Sequence, residues 1–192
     1  MKVIKHMKSP QRPLVVVTGN KGKADEIASI TGMPVEIVKL DIPEIQSLDV
    51  EEVAREKALT AYRILAKPVV VDDTGMSIEA LGGLPGALVS WFLDTLGPEG
   101  LLKLVAGETH RHALVSTCIA YADEDGVQTF LGTVEGTLSQ SLRGDAGFGY
   151  DPIFIPAGQD RTYAEMNSEE KNAISMRRQA LLGLKDYLSK QR

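Results

Sequence analysis

The first seventy residues alternate short apolar runs with segments of helical period, and this alternation constrains the fold more than any other feature of the chain. Residues 14–17 are four consecutive apolar side chains running into Thr18-Gly19-Asn20, the pattern of a buried strand entering a turn. Residues 23–30 read as a helix with Ile27 and Ile30 on one face and Gly32 just past its end. A second strand is expected over 35–40, closed by Pro43. In 50–65, Val53, Ala54, Ala58, Ala61, Ile64 and Leu65 recur at helical spacing, and 68–71 is a third nearly continuous apolar run. Strands apolar on both faces, separated by helices, call for a sheet with helices packed on its two sides, so the first half is expected to be α/β.

The second half reads differently. Gly82-Gly83-Leu84-Pro85-Gly86 is a loop, followed by a helix near 87–96 and a shorter one that Pro98 opens and that reaches Val105. Two β-rich runs, 113–121 and 127–134, flank Asp123-Glu124-Asp125-Gly126, and the Asp125-Gly126 pair is a hairpin signal. Residues 168–188 are helical, with Asn167 and Glu170 spaced as a capping box. The whole is expected to be α/β with an α+β second half. No repeat, low-complexity tract or linker divides the 192 residues, so 13–192 is expected to form a single domain behind a loose tail, 1–12, in which Met7 is an alternative start.

Composition narrows the function. A formal charge of −5 from 21 basic and 26 acidic residues disfavours nucleic acid as a partner. The basic N-terminus lacks the apolar core of a secretory signal, and no stretch approaches the ~18 apolar residues of a membrane span, so no membrane is expected as a partner and a cytoplasmic protein is expected. The lone Cys118 lies in an apolar run and is expected to pack as a small hydrophobe.

Four elements carry chemistry. Thr18-Gly19-Asn20-Lys21-Gly22-Lys23 joins a strand end, a glycine turn and a helix start, where backbone N–H groups, the helix dipole and lysines converge on an anion. Its spacing fits neither the P-loop nor GxGxxG. Asp72-Asp73-Thr74-Gly75 follows the third strand at the carboxyl edge of the sheet, where open α/β sheets take their ligands. Side chains alternate along a strand, so one of the two aspartates is expected to work on ligand and the other to be its structural partner. Gly147-Phe148-Gly149-Tyr150-Asp151 sets an aromatic between glycines, suited to a flat ligand. Lys171, Arg177 and Arg178 supply cations near the end of the chain. His110 and His112 are expected at the surface, and no zinc spacing or catalytic triad is present.

Together with DIPEIQ at Asp41, ALGGLPG at Ala80 and TYAEMNSEEKNAIS at Thr162, these motifs occur in an order that resembles the inosine triphosphate pyrophosphatase family. The resemblance spans Leu14 to Leu188. It implies an elongated mixed sheet flanked by helices, two lobes around a central cleft, and a homodimer. It implies Mg²⁺-dependent hydrolysis of inosine and xanthosine triphosphates, ribo or deoxyribo, to the monophosphate and pyrophosphate, cleansing the nucleotide pool. Carried over by residue, Thr18 to Lys23 would cradle the triphosphate, and Glu44 and Asp73 would hold Mg²⁺. Asp73 would accept a proton, Thr74 and Lys57 would contact substrate, and Phe148 to Asp151 with Lys171 would form the nucleoside pocket. The alternatives are a septum-inhibitor-like pyrophosphatase with pyrimidine or modified-nucleotide preference, and a nucleotide-binding regulator without turnover.

Two details set this chain apart. Where the family commonly has His-Arg after the serine of KNAIS, this chain has Met176-Arg177, and a thioether offers a base edge neither a donor nor a good acceptor. Arg177 is then left to recognise a 6-oxo base alone, with apolar contact from Met176. On one continuous helix Lys171 and Arg177 would lie about 240° apart and could not share a pocket. Either the helix breaks near Ser175, which would cap a new one, or Arg178 is the working cation; the break is the favoured expectation.

Overall fold

The computed structural model describes residues 13–191; the N-terminal tail expected over 1–12 lies outside the described residues. The expected alternation appears as β1 (Leu14–Val17), α1 (Lys21–Thr31), β2 (Val35–Val38), α2 (Val50–Leu65) and β3 (Val69–Ile78). β1 runs parallel to both β2 and β3, through Val16↔Val70 and Val17↔Val71 on the latter side. Asn20 caps α1 by accepting the Lys23 N–H, so the helix starts two residues earlier than expected, at Lys21. Gly32 ends it in the left-handed region at φ 67°. β2 stops at Val38, short of the expected Leu40.

The third strand departs most from expectation. It does not end at Val71 but continues through Asp72-Asp73-Thr74-Gly75 to Ile78. Its new partner is antiparallel β5 (His112–Asp123), with Asp72↔Ile119, Asp73↔Cys118 and Thr74↔Thr117 in register. The polar run is thus held in extended form by backbone pairing with a strand distant in sequence, which local patterning does not report.

β5 turns back into β6 (Gly126–Leu138), and both strands are longer than the apolar runs that signalled them. Asp123 pairs with Gly126, so the two turn residues are Glu124 and Asp125, one position earlier than the Asp-Gly signal implied. Short β4 (Pro85–Gly86) pairs with β3, and β7 (Phe154–Pro156) with β6, completing a sheet of order β2-β1-β3-β5-β6-β7. α3 (Val89–Leu104) is two helical pieces meeting at Gly97, φ 69° and ψ 172°, with Pro98 opening the second as expected.

α2 packs on one face of the parallel part through Val53, Ala54, Ala58 and Ala61, over Val69, Val71 and Cys118. Ile27 of α1 covers the other face together with Ala180, Leu181 and Leu184 of the C-terminal helix. A separate core in the antiparallel lobe gathers Met76, Ile78, Leu101, Val115, Phe154, Tyr163 and Met176. Arg111 fixes its edge: the buried guanidinium donates to the carbonyls of Val105 at 2.7 Å, Leu138 at 3.1 Å and Ser139 at 2.7 Å, joining the end of α3 to the end of β6. Cys118 is buried, and burial pushes its thiol up to about 12, in keeping with a packing role. His110 and His112 are exposed.

The C-terminal region divides as the cation geometry required. α4 (Ser168–Ile174) starts at the expected Asn167–Glu170 capping box. Ser175, at φ −75° and ψ 150°, interrupts the helix and caps α5 (Met176–Lys190) by accepting the Arg178 N–H. α5 lies so close on β6 that a Cβ at Gly132 would sit 2.0 Å from the Met176 carbonyl oxygen. Gly132→Ala is therefore expected to push the start of α5 off the sheet and lower stability by about 1–3 kcal/mol, measured by urea denaturation.

Candidate active site

β1 ends at Val17 while β3 continues, so the chain leaves an open edge between the α1 turn and the extended part of β3. A cavity of about 380 Å³ lies there. At one end are Asn20, Lys23, Glu44, Lys57, Asp73 and Thr74. At the other are Phe148, Gly149, Tyr150 and Asp151 with Lys171, Met176 and Arg177. Val89, Ser90, Leu93 and Asp94 of α3 contribute further lining. Of the residues singled out in the sequence, Thr18, Gly19 and Lys21 lie in the adjoining turn and helix start without lining the cavity. Thr18 accepts the Asn20 N–H at 3.0 Å and so shapes that turn. Gly22 lines a neighbouring cavity of about 340 Å³ that shares Phe148 and Lys171 with the first. It is a glycine because a Cβ would meet the Phe148 ring at 3.0 Å.

Alternation along β3 separates the two aspartates as expected. Asp72 is the structural partner. Its buried carboxylate takes the Arg177 Nε at 2.7 Å and the Lys23 Nζ at 2.6 Å, and accepts the Thr74 hydroxyl at 3.3 Å. Burial by itself would raise this carboxyl, but the Arg177 guanidinium and the Lys23 ammonium outweigh it and hold Asp72 well below the usual carboxylate range.

Asp73 belongs to the other group. Lys57 of α2 pairs closely with Glu44 and stands 4.0 Å from Asp73 Oδ1. Asp73 Oδ1 accepts the Thr74 N–H, whereas the buried Oδ2 has no hydrogen-bond partner. Burial raises the Asp73 carboxyl to about 6, with Lys57 and Lys23 opposing the rise and Glu44 and Asp72 adding to it. Among the described residues no three His, Cys, Asp or Glu side chains form a metal cage. Two carboxylates beside a phosphate-suited lysine are the protein share that Mg²⁺ ordinarily takes, the rest being water and phosphate oxygen.

At the far end the break at Ser175 lets Lys171 and Arg177 converge, and they share Glu26 of α1. Lys171 Nζ is 3.1 Å from Glu26 and 2.7 Å from Asp151, and stands 4.5 Å from the centroid of the Phe148 ring. Asp151 therefore turns its carboxylate inward: the oxygen that takes Lys171 also accepts the Phe148 N–H at 2.8 Å. Tyr150 is largely a core residue of the antiparallel lobe, its buried hydroxyl without a partner. Arg178 is half-buried and outside the lining, so the alternative cation is set aside. Met176 lines the cavity while packing into the lobe core.

Sequence reading missed Glu26 and the α3 wall. Glu26 lies one turn beyond Lys23 on α1, an i,i+3 spacing that placed it on the same face. Nothing local marked Ser90 or Asp94, because α3 reaches the cleft only through the packing of the second lobe.

A cavity bounded by lysines and carboxylates at the open edge of a partly parallel sheet, with an aromatic and two cations at its far end, is that of an α/β protein whose cleft suits an anionic, flat-ringed ligand. Comparison with known proteins gives the particular family. Residues 14–187 match the Ham1 family model. The chain is 48% identical over 183 residues, 93% of each chain, to inosine triphosphate pyrophosphatase 2 of Trypanosoma cruzi. It is 44% identical over 172 residues, 88% of this chain and 90% of the other, to the dITP/XTP pyrophosphatase of Hyperthermus butylicus. The solved structure of the Staphylococcus aureus Ham1 protein superposes with a TM-score of 0.82 at 30% identity, covering 94% of this chain and 100% of the other. The chain belongs to the Ham1 family.

Asp72→Asn should cost about 3–5 kcal/mol of stability, because Arg177 would keep its buried charge and lose its main counter-charge. Chemical denaturation at neutral pH measures this.

Proposed function

We propose that the chain is a Mg²⁺-dependent nucleotide pyrophosphatase that hydrolyses inosine and xanthosine triphosphates, ribo or deoxyribo, to the monophosphate and pyrophosphate. The observation that carries this is Asp73: a buried carboxylate oxygen without a partner, raised toward neutrality, in one cleft with phosphate-suited lysines and a ring-sized pocket. The names of the relatives support the substrate class.

The residues divide the work along the cleft. The start of α1, with Asn20 and Lys23, binds phosphate oxygens through backbone N–H groups and charge, with Lys21 exposed beside it. Lys57 adds a second cation, paired with Glu44 and 4.0 Å from Asp73. Glu44 and Asp73 would hold Mg²⁺, which when bound neutralises phosphate charge and lowers the pKa of nearby water. Asp73, whose carboxyl burial raises to about 6 in the metal-free protein, accepts the proton of the water that attacks the α-phosphorus. The base lies against Phe148, with Lys171 and Arg177 as the cationic groups facing a 6-oxo edge. Adenine, whose 6-amino group is itself a donor and cannot accept, offers these cations nothing and is disfavoured. Met176 supplies surface without reading that edge.

We read the chain as a cytoplasmic enzyme of nucleotide metabolism, whose charge of −5 does not suit nucleic acid. No helix among the described residues is long and apolar enough to cross a membrane. We read 13–192 as one domain. Leu84, Trp91 and Leu96 are exposed apolar side chains, and a homodimer is the assembly that would cover them.

Product analysis with Mg²⁺ on inosine, xanthosine, adenosine and thymidine triphosphates tests the reading. Monophosphate and pyrophosphate from the first two, with the others largely untouched, is the expected result. Turnover of thymidine triphosphate instead would indicate pyrimidine preference, and no turnover would leave a binding protein. Asp73→Asn should lose roughly 10²–10⁴-fold in kcat while still binding nucleotide, measured by steady-state kinetics and equilibrium binding. Chelation of Mg²⁺ should abolish wild-type turnover, and its re-addition should restore it.

A further inference from the structure

We propose that Ser90 and Asp94, on the α3 wall of the cleft, form a subsite for the sugar hydroxyls of the bound nucleotide. The inference rests on the nucleotide reading above and adds a contact that it does not contain.

Ser90 and Asp94 stand four residues apart, on one face of the first piece of α3, and both line the cavity that holds the lysine end and the Phe148 end. Leu93, between them, faces the Phe148 loop: a Cβ at Gly149 would lie 3.5 Å from its side chain. This face of the helix is therefore set against the loop that receives the nucleoside. Both residues are exposed, and among the described residues neither side chain takes part in a hydrogen bond or ion pair that the fold would need. They do not cap the helix, whose first residues have no side-chain cap.

Charge decides which part of a nucleotide they suit. A carboxylate without a counter-ion repels a triphosphate, and the phosphate end already has Lys23 and Lys57 to receive it. The base end has its own carboxylates, Glu26 and Asp151, paired with Lys171. The remaining neutral donors on the ligand are the sugar hydroxyls, which lie between base and phosphates in any nucleotide that spans the cleft. A carboxylate accepting from ribose hydroxyls is an established recognition device in other α/β nucleotide sites. The Ser90 hydroxyl can accept or donate beside it.

The test compares kcat/KM for inosine triphosphate with its 2′-deoxy, 3′-deoxy and 2′,3′-dideoxy forms, in wild type, Asp94→Ala and Ser90→Ala. Wild type is expected to lose about tenfold or more on removal of both hydroxyls, mainly through KM, as for a lost hydrogen bond to a charged group. The two single-deoxy substrates report which hydroxyl is bound. In Asp94→Ala that penalty should shrink to within about threefold, with a smaller reduction in Ser90→Ala. Both sites are exposed, and unchanged thermal midpoints verify that the variants fold. A wild type that handles the dideoxy substrate as well as the parent overturns the proposal, as does an equal penalty in wild type and Asp94→Ala. Failure to hydrolyse inosine triphosphate itself is a different result, which removes the nucleotide reading and the subsite with it.

Discussion

The buried ionic network centred on Arg177 is the interaction on which the rest of the cleft depends. Its guanidinium joins Asp72 of β3 to Glu26 of α1, and Glu26 in turn holds Lys171 of α4, which reaches Asp151. Arg177 and Asp72 are essentially without solvent contact, at 1% and 0% side-chain exposure, so removing either partner would leave a bare charge in a medium that cannot solvate it. The network therefore works less as a source of net stability than as a set of geometric constraints. It fixes the distance between the start of α1, the polar part of β3 and the two C-terminal helices.

Those constraints are met because backbone approaches are unusually close at a few glycines. Gly132 lets α5 settle on β6, and Gly147, at φ 77°, leaves room for the Asp151 carboxylate, which would be 2.1 Å from an added Cβ. Ser175 completes the arrangement from the sequence side. By ending one helix and capping the next, it turns two cations that a continuous helix would set on different faces toward a single carboxylate.

The same contrast runs through the two aspartates. Adjacent in sequence and alike in chemistry, they acquire opposite proton affinities because the pleat sends them into different surroundings: Asp72 meets two cations at contact distance, while Asp73 keeps an unpartnered oxygen. One becomes a structural anion and the other a carboxyl suited to accepting a proton near neutrality. Lys57 balances Glu44 against Asp73 without satisfying either completely, which leaves this end of the cleft able to take further positive charge.

Much of this was legible in the residues. The βαβαβ alternation, the Asn167 cap, the divided α3, the break at Ser175 and the separation of Asp72 from Asp73 all follow from local rules: apolar period, side-chain capping, fixed φ at proline and the alternation of strand faces. What the residues did not disclose depends on partners distant in the chain. β3 runs on past Val71 because β5 supplies its hydrogen bonds. Glu26 matters because α4 and α5 fold back to it. Asp151 points inward because Lys171 arrives there. Ser90 and Asp94 reach the cleft only because the second lobe packs α3 against the Phe148 loop. Local sequence determines which elements form and which faces they bury, since those preferences act over a few residues. Which charges meet, and therefore which groups remain free for chemistry, is decided only when separate elements share one buried volume of low polarity.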